Sequence, residues 1–179
     1  VIAVGAVRGD GQRAYYSSYG DALDIMAPGG DLRVDQNGDG MPDGVVQNTM
    51  LRGNPMEHDY LGFQGTSMAA PHVAGLVALV ISANPDTAGD VDWLEALIAR
   101  SAVGLTNAQN CGDFAGADIP NAVYGHGRID ALAAVVAARS DLDRDGRLTA
   151  ADPPLLARSL AGNPTTPAVG RSSGDRDGD

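Results

Sequence analysis

The sequence predicts an α/β domain, a mostly parallel sheet with buried helices, followed by a small helical tail. Three observations carry this expectation. The chain opens on a β-branched apolar run, Val1 to Val7, that reads as a buried strand. Residues 67–83 are apolar on nearly every side and read as a helix buried in the middle of a domain. From Asp141 onward the composition turns to Asp- and Gly-containing loops around one short apolar segment, Leu155 to Leu160.

The elements follow in order. The first strand already belongs to a core, so the N-terminus reads as a cut within a domain, and the missing signal peptide carries no information about compartment. Asp10-Gly11 starts a turn. Leu23 to Ala27 reads as a second short strand, ended by Pro28-Gly29-Gly30. Residues 31–50 form a polar, Gly/Asp-rich insertion. Pro71 is tolerated only in the first turn of a helix, which therefore begins close to Ser67. Asn84-Pro85-Asp86 ends it. A second helix runs from Asp90 to Ala102, with Val91, Leu94, Leu97 and Ile98 on one face and Asp92 and Glu95 near its positive end. Residues 103–123 are loop-rich. A third helix, Gly127 to Arg139, has Ile129, Leu132, Val135 and Val136 as its apolar face. The boundary falls there, giving a domain over 1–139 and a tail over 140–179.

The net charge of −11 argues against a nucleic-acid partner, because the phosphate backbone would be repelled. No apolar run reads as a membrane span. The single cysteine, Cys111, sets up no disulfide framework; it pairs upstream or is a small buried hydrophobe. Ten of the 23 acidic residues fall in three short Gly-containing clusters, a pattern that suits cation binding better than an even solvated surface.

The clearest cluster is Asp141 to Asp152, which fits a 12-residue calcium loop. Asp141, Asp143, Asp145 and Asp152 stand at ligand positions, with Gly146 for the sharp turn, the Arg147 carbonyl next and Thr149 after it. Asp175, Asp177 and Asp179 resemble the start of another such loop. Asp35, Asn37, Asp39, Met41 and Asp43 make a third candidate within the 31–50 insertion, but Val46 stands where the last carboxylate belongs. The alternative in each case is a solvated acidic loop.

Gly65-Thr66-Ser67-Met68-Ala69-Ala70-Pro71-His72-Val73-Ala74-Gly75 carries the chemistry. A hydroxyl at a loop-to-helix junction meets unpaired backbone N–H groups and the positive end of the helix dipole. Such a serine can attack a carbonyl through its oxygen and stabilise the resulting oxyanion through its own N–H. The plainer reading is an N-cap. An α/β-hydrolase elbow needs G-x-S-x-G, and Ala69 occupies the last position.

This string resembles the serine signature of the subtilisin-like proteases. The resemblance continues through Val1 to Val7, Tyr16-Ser17-Ser18-Tyr19-Gly20, Asp24 to Gly29, and Tyr124-Gly125-His126-Gly127-Arg128-Ile129-Asp130-Ala131, in the family order. It implies a subtilisin-like parallel sheet and a secreted endopeptidase acting on protein or peptide substrates by a Ser-His-Asp mechanism, with Ser67 as nucleophile. It places the Asp, the His and the oxyanion Asn upstream of this chain, which holds one triad member. His72 corresponds to a buried structural histidine. His126 is expected to be partly exposed, and His58 to decorate a loop. Thr66 supports the oxyanion site, and Met68 is open to oxidation. The Asp141–Asp152 loop and the segment after it resemble a dockerin repeat, from which Pro153-Pro154 departs. That likeness implies EF-hand-like calcium binding and a cohesin-type partner. It also leaves a second class of function open: an inactive protease-like module serving calcium-dependent docking.

Overall fold

The computed structural model describes residues 1–106 and 118–140. It divides into two compact units. Among the described residues, one lies within Val1–Val73 and Val103–Ile129, the other within Ala74–Ala102 and Asp130–Ser140.

The first unit is organised by two short parallel strands, β1 (Val4–Val7) and β2 (Ile25–Pro28), in register from Val4 opposite Ile25 to Val7 opposite Pro28. Both predicted strands form: the first is trimmed to Val4–Val7, and the second starts two residues later than expected and takes in Pro28, which was expected to end it. Their apolar side chains supply the core: Val7, Met26, Val123 and Tyr124 pack together, with Leu23 and Leu105 against them. Returning chain satisfies the outer backbone groups. Ala14 N–H donates to the Ala6 carbonyl at 2.9 Å, and the Ser17 hydroxyl accepts from Ala6 N–H at 2.9 Å. On the other side Met26 exchanges hydrogen bonds with Gly127 and Ile129 at 2.8 and 2.9 Å. Arg128 pairs in turn with Val103.

The insertion is more ordered than its sequence suggests. Where the reading had a polar insertion and then a loop around His58, the chain folds into an antiparallel hairpin, β3 (Val45–Leu51) and β4 (Asn54–Phe63), joined at Arg52-Gly53. Val45, Val46, Thr49, Tyr60 and Phe63 are the β-formers that sustain it. Val46, Met50 and Tyr60 stand on one face, each more than half exposed.

Helix α1 (Thr66–Ala83) begins one residue before Ser67, which places Pro71 inside the helix beyond the first turn. The ring removes the N–H that would bond the Ser67 carbonyl. All-round burial is corrected: the buried positions are Ala69, Val73, Leu76 and Val80, one stripe at helical spacing, and Leu79 is 54% exposed. By length and mean hydropathy (1.6) α1 does reach the minimum for a membrane span, a test that the core helix of a soluble protein also passes.

In the second unit, a 3-10 turn (Pro85–Thr87) follows α1, and α2 (Val91–Ser101) packs against α3 (Ala131–Ser140). The Asn84 amide donates to the Ala138 carbonyl at 3.1 Å. α2 buries Leu94, Leu97 and Ile98 as expected, with Trp93 in place of Val91, which is 57% exposed. Helix α3 starts later than predicted, and its buried face is Ala134 and Ala138; Leu132 and Val136 face solvent. Asp90 caps α2, its carboxylate accepting from Trp93 N–H at 3.1 Å. Asp90→Ala is expected to cost about 1 kcal/mol, read by urea unfolding, because that helix-end donor loses its acceptor.

Candidate active site

The segment from β4 into α1 is shaped by Gly65. Its φ of 147° lies where side chains with a Cβ are strained, and it lets the chain swing from the strand into the helix. The Gly65 carbonyl accepts from Met68 and Ala69 N–H at 3.0 and 3.3 Å, closing the first turn. Ser67 follows as the second helical residue, exposed. Among the described residues neither its hydroxyl nor its N–H makes a hydrogen bond, so it is not the N-cap of α1. A free hydroxyl, a free N–H and the helix dipole coincide at one residue, the local equipment for attack and for half an oxyanion site.

No histidine of this chain hydrogen-bonds Ser67. His72, expected to be buried, is exposed, and its Nδ1 lies 2.7 Å from the Met68 carbonyl. A carbonyl only accepts, so Nδ1 carries the proton there. His58 lies on β4 opposite Met50, in a strand and not a loop. His126 is partly exposed as expected, and its N–H donates to the Asp24 carbonyl.

The sequence reading missed the polar framework behind Gly65. Tyr16 Oη lies 2.7 Å from the Gly29 carbonyl, 2.6 Å from the Gly30 carbonyl and 3.0 Å from Gly65 N. Gly29 is packed too closely for a side chain: an added Cβ would meet Ala6 Cβ at 2.5 Å, Tyr16 Oη at 2.8 Å and the Gly65 carbonyl at 2.9 Å. Gln64 accepts from Leu32 N–H at 2.6 Å and donates to Tyr15 Oη at 3.0 Å. Arg33 lies over the Tyr15 ring and pairs with Asp31, which is 1% exposed. Burial pushes the Asp31 carboxyl upward, but hydrogen bonds from Arg33 side chain and backbone outweigh it, and the pKa falls below the usual value.

The acids of the 35–43 loop are spent on the loop itself. Asp35 accepts from Gly38 and Gly40 N–H at 2.7 and 2.9 Å, and Asp39 from Met41 N–H at 2.8 Å. Asn37 donates to Asp39, and Asp43 accepts from Gln36 N–H. Among the described residues no three His, Cys, Asp or Glu side chains gather as a metal-binding group. Asp141, Asp143, Asp145, Arg147, Thr149, Asp152, Asp175, Asp177, Asp179 and Cys111 lie outside the described residues.

Comparison with known proteins adds the family. The model of the Subtilase family matches residues 1–127, from the first strand through the Ser67 string to the Gly-rich stretch before α3. The chain belongs to the subtilase family. Among its subtilase relatives is the extracellular protease of Xanthomonas campestris pv. campestris, 38% identical over 124 residues, covering 68% of this chain and 18% of that protein. Subtilisin E of Bacillus subtilis is 43% identical over 84 residues, covering 47% of this chain and 17% of the relative. Of solved structures, a protease of Pseudoalteromonas arctica superposes with a TM-score of 0.59 at 35% identity, covering 77% of this chain and 36% of that one. The serine protease of Aeromonas sobria gives 0.57 at 25%, covering 75% and 28%. The chain thus spans under a fifth of the length of these curated subtilases. The subtilase match stops before the Asp-rich tail.

Proposed function

We propose that this chain supplies the nucleophile and one oxyanion donor of a secreted serine endopeptidase that cleaves peptide bonds. The observation carrying this reading is Ser67: exposed at the start of α1, with hydroxyl and N–H both unpartnered among the described residues, inside the subtilase serine string. In this reading Ser67 Oγ attacks the scissile carbonyl as a base takes its proton, and Ser67 N–H donates a hydrogen bond to the developing oxyanion. Among the described residues none of His58, His72 and His126 hydrogen-bonds Ser67, and in this reading the His and its orienting Asp stand ahead of Ser67 in the family order Asp, His, Ser. Secretion is supported by the extracellular protease among the relatives. The test is labelling of the full-length protein with a fluorophosphonate probe. A covalent adduct on Ser67 is expected; a folded protein that takes no label is the inactive docking module instead.

We further propose that calcium braces the acidic loops, Asp35, Asn37, Asp39, the Met41 carbonyl and Asp43 in one, Asp141 to Asp152 and Asp175 to Asp179 in the tail. In the first loop the oxygens do not converge as folded. The fit rests on spacing, on exposure, and on the second lone pair each Asp35 oxygen keeps after accepting its one N–H. The dockerin-like tail would then dock a cohesin-type partner. Chelation is expected to lower the thermal midpoint of the full-length protein, and calorimetric titration to show calcium uptake. Absence of heat at millimolar calcium removes all three loops.

A further inference from the structure

The position of Ser67 is inherited from Gly65, and Gly65 is held from behind. Its N–H lies 2.9 Å from the Gly29 carbonyl and 3.0 Å from Tyr16 Oη. The same hydroxyl reaches the Gly29 and Gly30 carbonyls at 2.7 and 2.6 Å. A phenol has one proton to give and lone pairs to receive. It therefore donates to one of the two carbonyls and accepts from Gly65 N–H. One oxygen atom, 49 residues before Gly65 in sequence, ties the turn that leaves β2 to the turn that enters α1.

The surroundings leave that oxygen little freedom. Gly29 has no space for a Cβ beside it. The Tyr16 ring stands edge-on to Tyr15 with centroids 5.1 Å apart. Tyr15 in turn receives the Gln64 amide, whose oxygen holds Leu32 N–H, a second tie between the same two segments. Burial pushes the Tyr16 pKa up, so the hydroxyl stays protonated and can keep donating across the neutral range. Gly65 has no side chain to hold its torsions, so these bonds and the turn its carbonyl closes set how it aims the next two residues, Thr66 and Ser67. Reacting groups must be held to within about half an ångström of productive geometry.

We propose that Tyr16 is a positioning residue for the nucleophile, its hydroxyl fixing the Gly65 peptide so that Ser67 Oγ and N–H face the scissile carbonyl together. The inference rests on Ser67 being the nucleophile. Tyr16 touches no substrate atom in this account and acts through Gly65 alone.

The test is Tyr16→Phe in the full-length protease, which deletes one oxygen and keeps the ring. With a short peptide anilide, kcat is expected to fall about tenfold and KM to stay within about twofold. A peptide boronic acid, which mimics the tetrahedral intermediate, is expected to bind more weakly by the same factor, while a product peptide binds as before. Thermal unfolding is followed in parallel. A kcat within about twofold of the parent overturns the proposal. So does a loss that disappears on cooling in step with the folded fraction, since that is a stability effect only. If Tyr16→Phe does not fold, a fluorinated tyrosine at position 16 retains shape and hydroxyl but ionises at lower pH. It is then expected to add an alkaline loss of kcat that the parent lacks, and an unchanged pH profile overturns the proposal. Fluorophosphonate labelling of Ser67 in the parent separates the two readings: a parent that takes no label sinks the nucleophile assignment, whatever Tyr16 does.

Discussion

Ser67→Ala in the full-length protease is expected to lower turnover of a peptide substrate by roughly 10⁶-fold, the size of loss seen when the serine of a protease triad is removed. KM should move little, because the hydroxyl forms its bond to substrate in the transition state and contributes little to ground-state binding. The loss should stop short of the uncatalysed rate. Ser67 N–H belongs to the backbone and survives the substitution, as does the dipole of α1, so oxyanion stabilisation persists without a nucleophile. The measurement is kcat and KM on an anilide, with casein as the protein substrate. Casein hydrolysis that survives in Ser67→Ala would remove Ser67 from the chemistry.

The largest loss of stability is expected from Gly127→Ala. Gly127 has a φ of 118°, where an alanine is strained, and an added Cβ would stand 2.2 Å from the Val103 carbonyl oxygen and 2.8 Å from its carbon. Those are backbone atoms, fixed by the reciprocal hydrogen bonds between Val103 and Arg128 at 2.8 and 2.9 Å, and no rotamer change relieves the clash. Gly127 also accepts from Met26 N–H in β2, so moving it loosens the strand. Strain and overpacking of this kind cost about 1–3 kcal/mol each, so a total of roughly 3 kcal/mol or more is expected. That is a large share of a domain stability of about 5–15 kcal/mol. Urea unfolding reads the difference. Gly75→Ala is the control: it lies in α1 with nothing within 4 Å of an added Cβ, and should stabilise by roughly 0.5–1 kcal/mol. A Gly127→Ala protein as stable as the parent would mean that the 103–128 pairing is not formed as described.

The two core strands and α2 were legible because their signals are local. Val4–Val7 and Ile25–Pro28 are apolar runs closed by turn residues, and Asp90 stands one residue before an amphipathic repeat. The hairpin was not legible because both faces of β4 are exposed, so no apolar alternation marks it; its evidence is the β-branched spacing of β3 and the Gly53 turn. For α1 the reading took apolar composition for burial, and for His72 it took the burial that the family resemblance implies, whereas one stripe of the helix is buried and the rest, His72 included, is not. Ser67 was visible because its string is contiguous. The framework behind it was not, because Tyr16 meets Gly65 only through the fold. The available hint was an aromatic hydroxyl just before Ser17-Ser18 in a stretch that matched the family and had no assigned role.

Ten extended residues in β4 reach about 33 Å, so the Arg52-Gly53 tip of the hairpin lies far from the serine that β4 leads into. The root of the hairpin is pinned: Gly44 abuts the Phe63 backbone and Leu32, with no room for a larger residue. The tip is solvated and touches little, the setting in which insertions and substitutions accumulate without penalty. Selection can therefore rewrite the outer half of this insertion, in length as well as in sequence, while the root holds the turn into α1 constant.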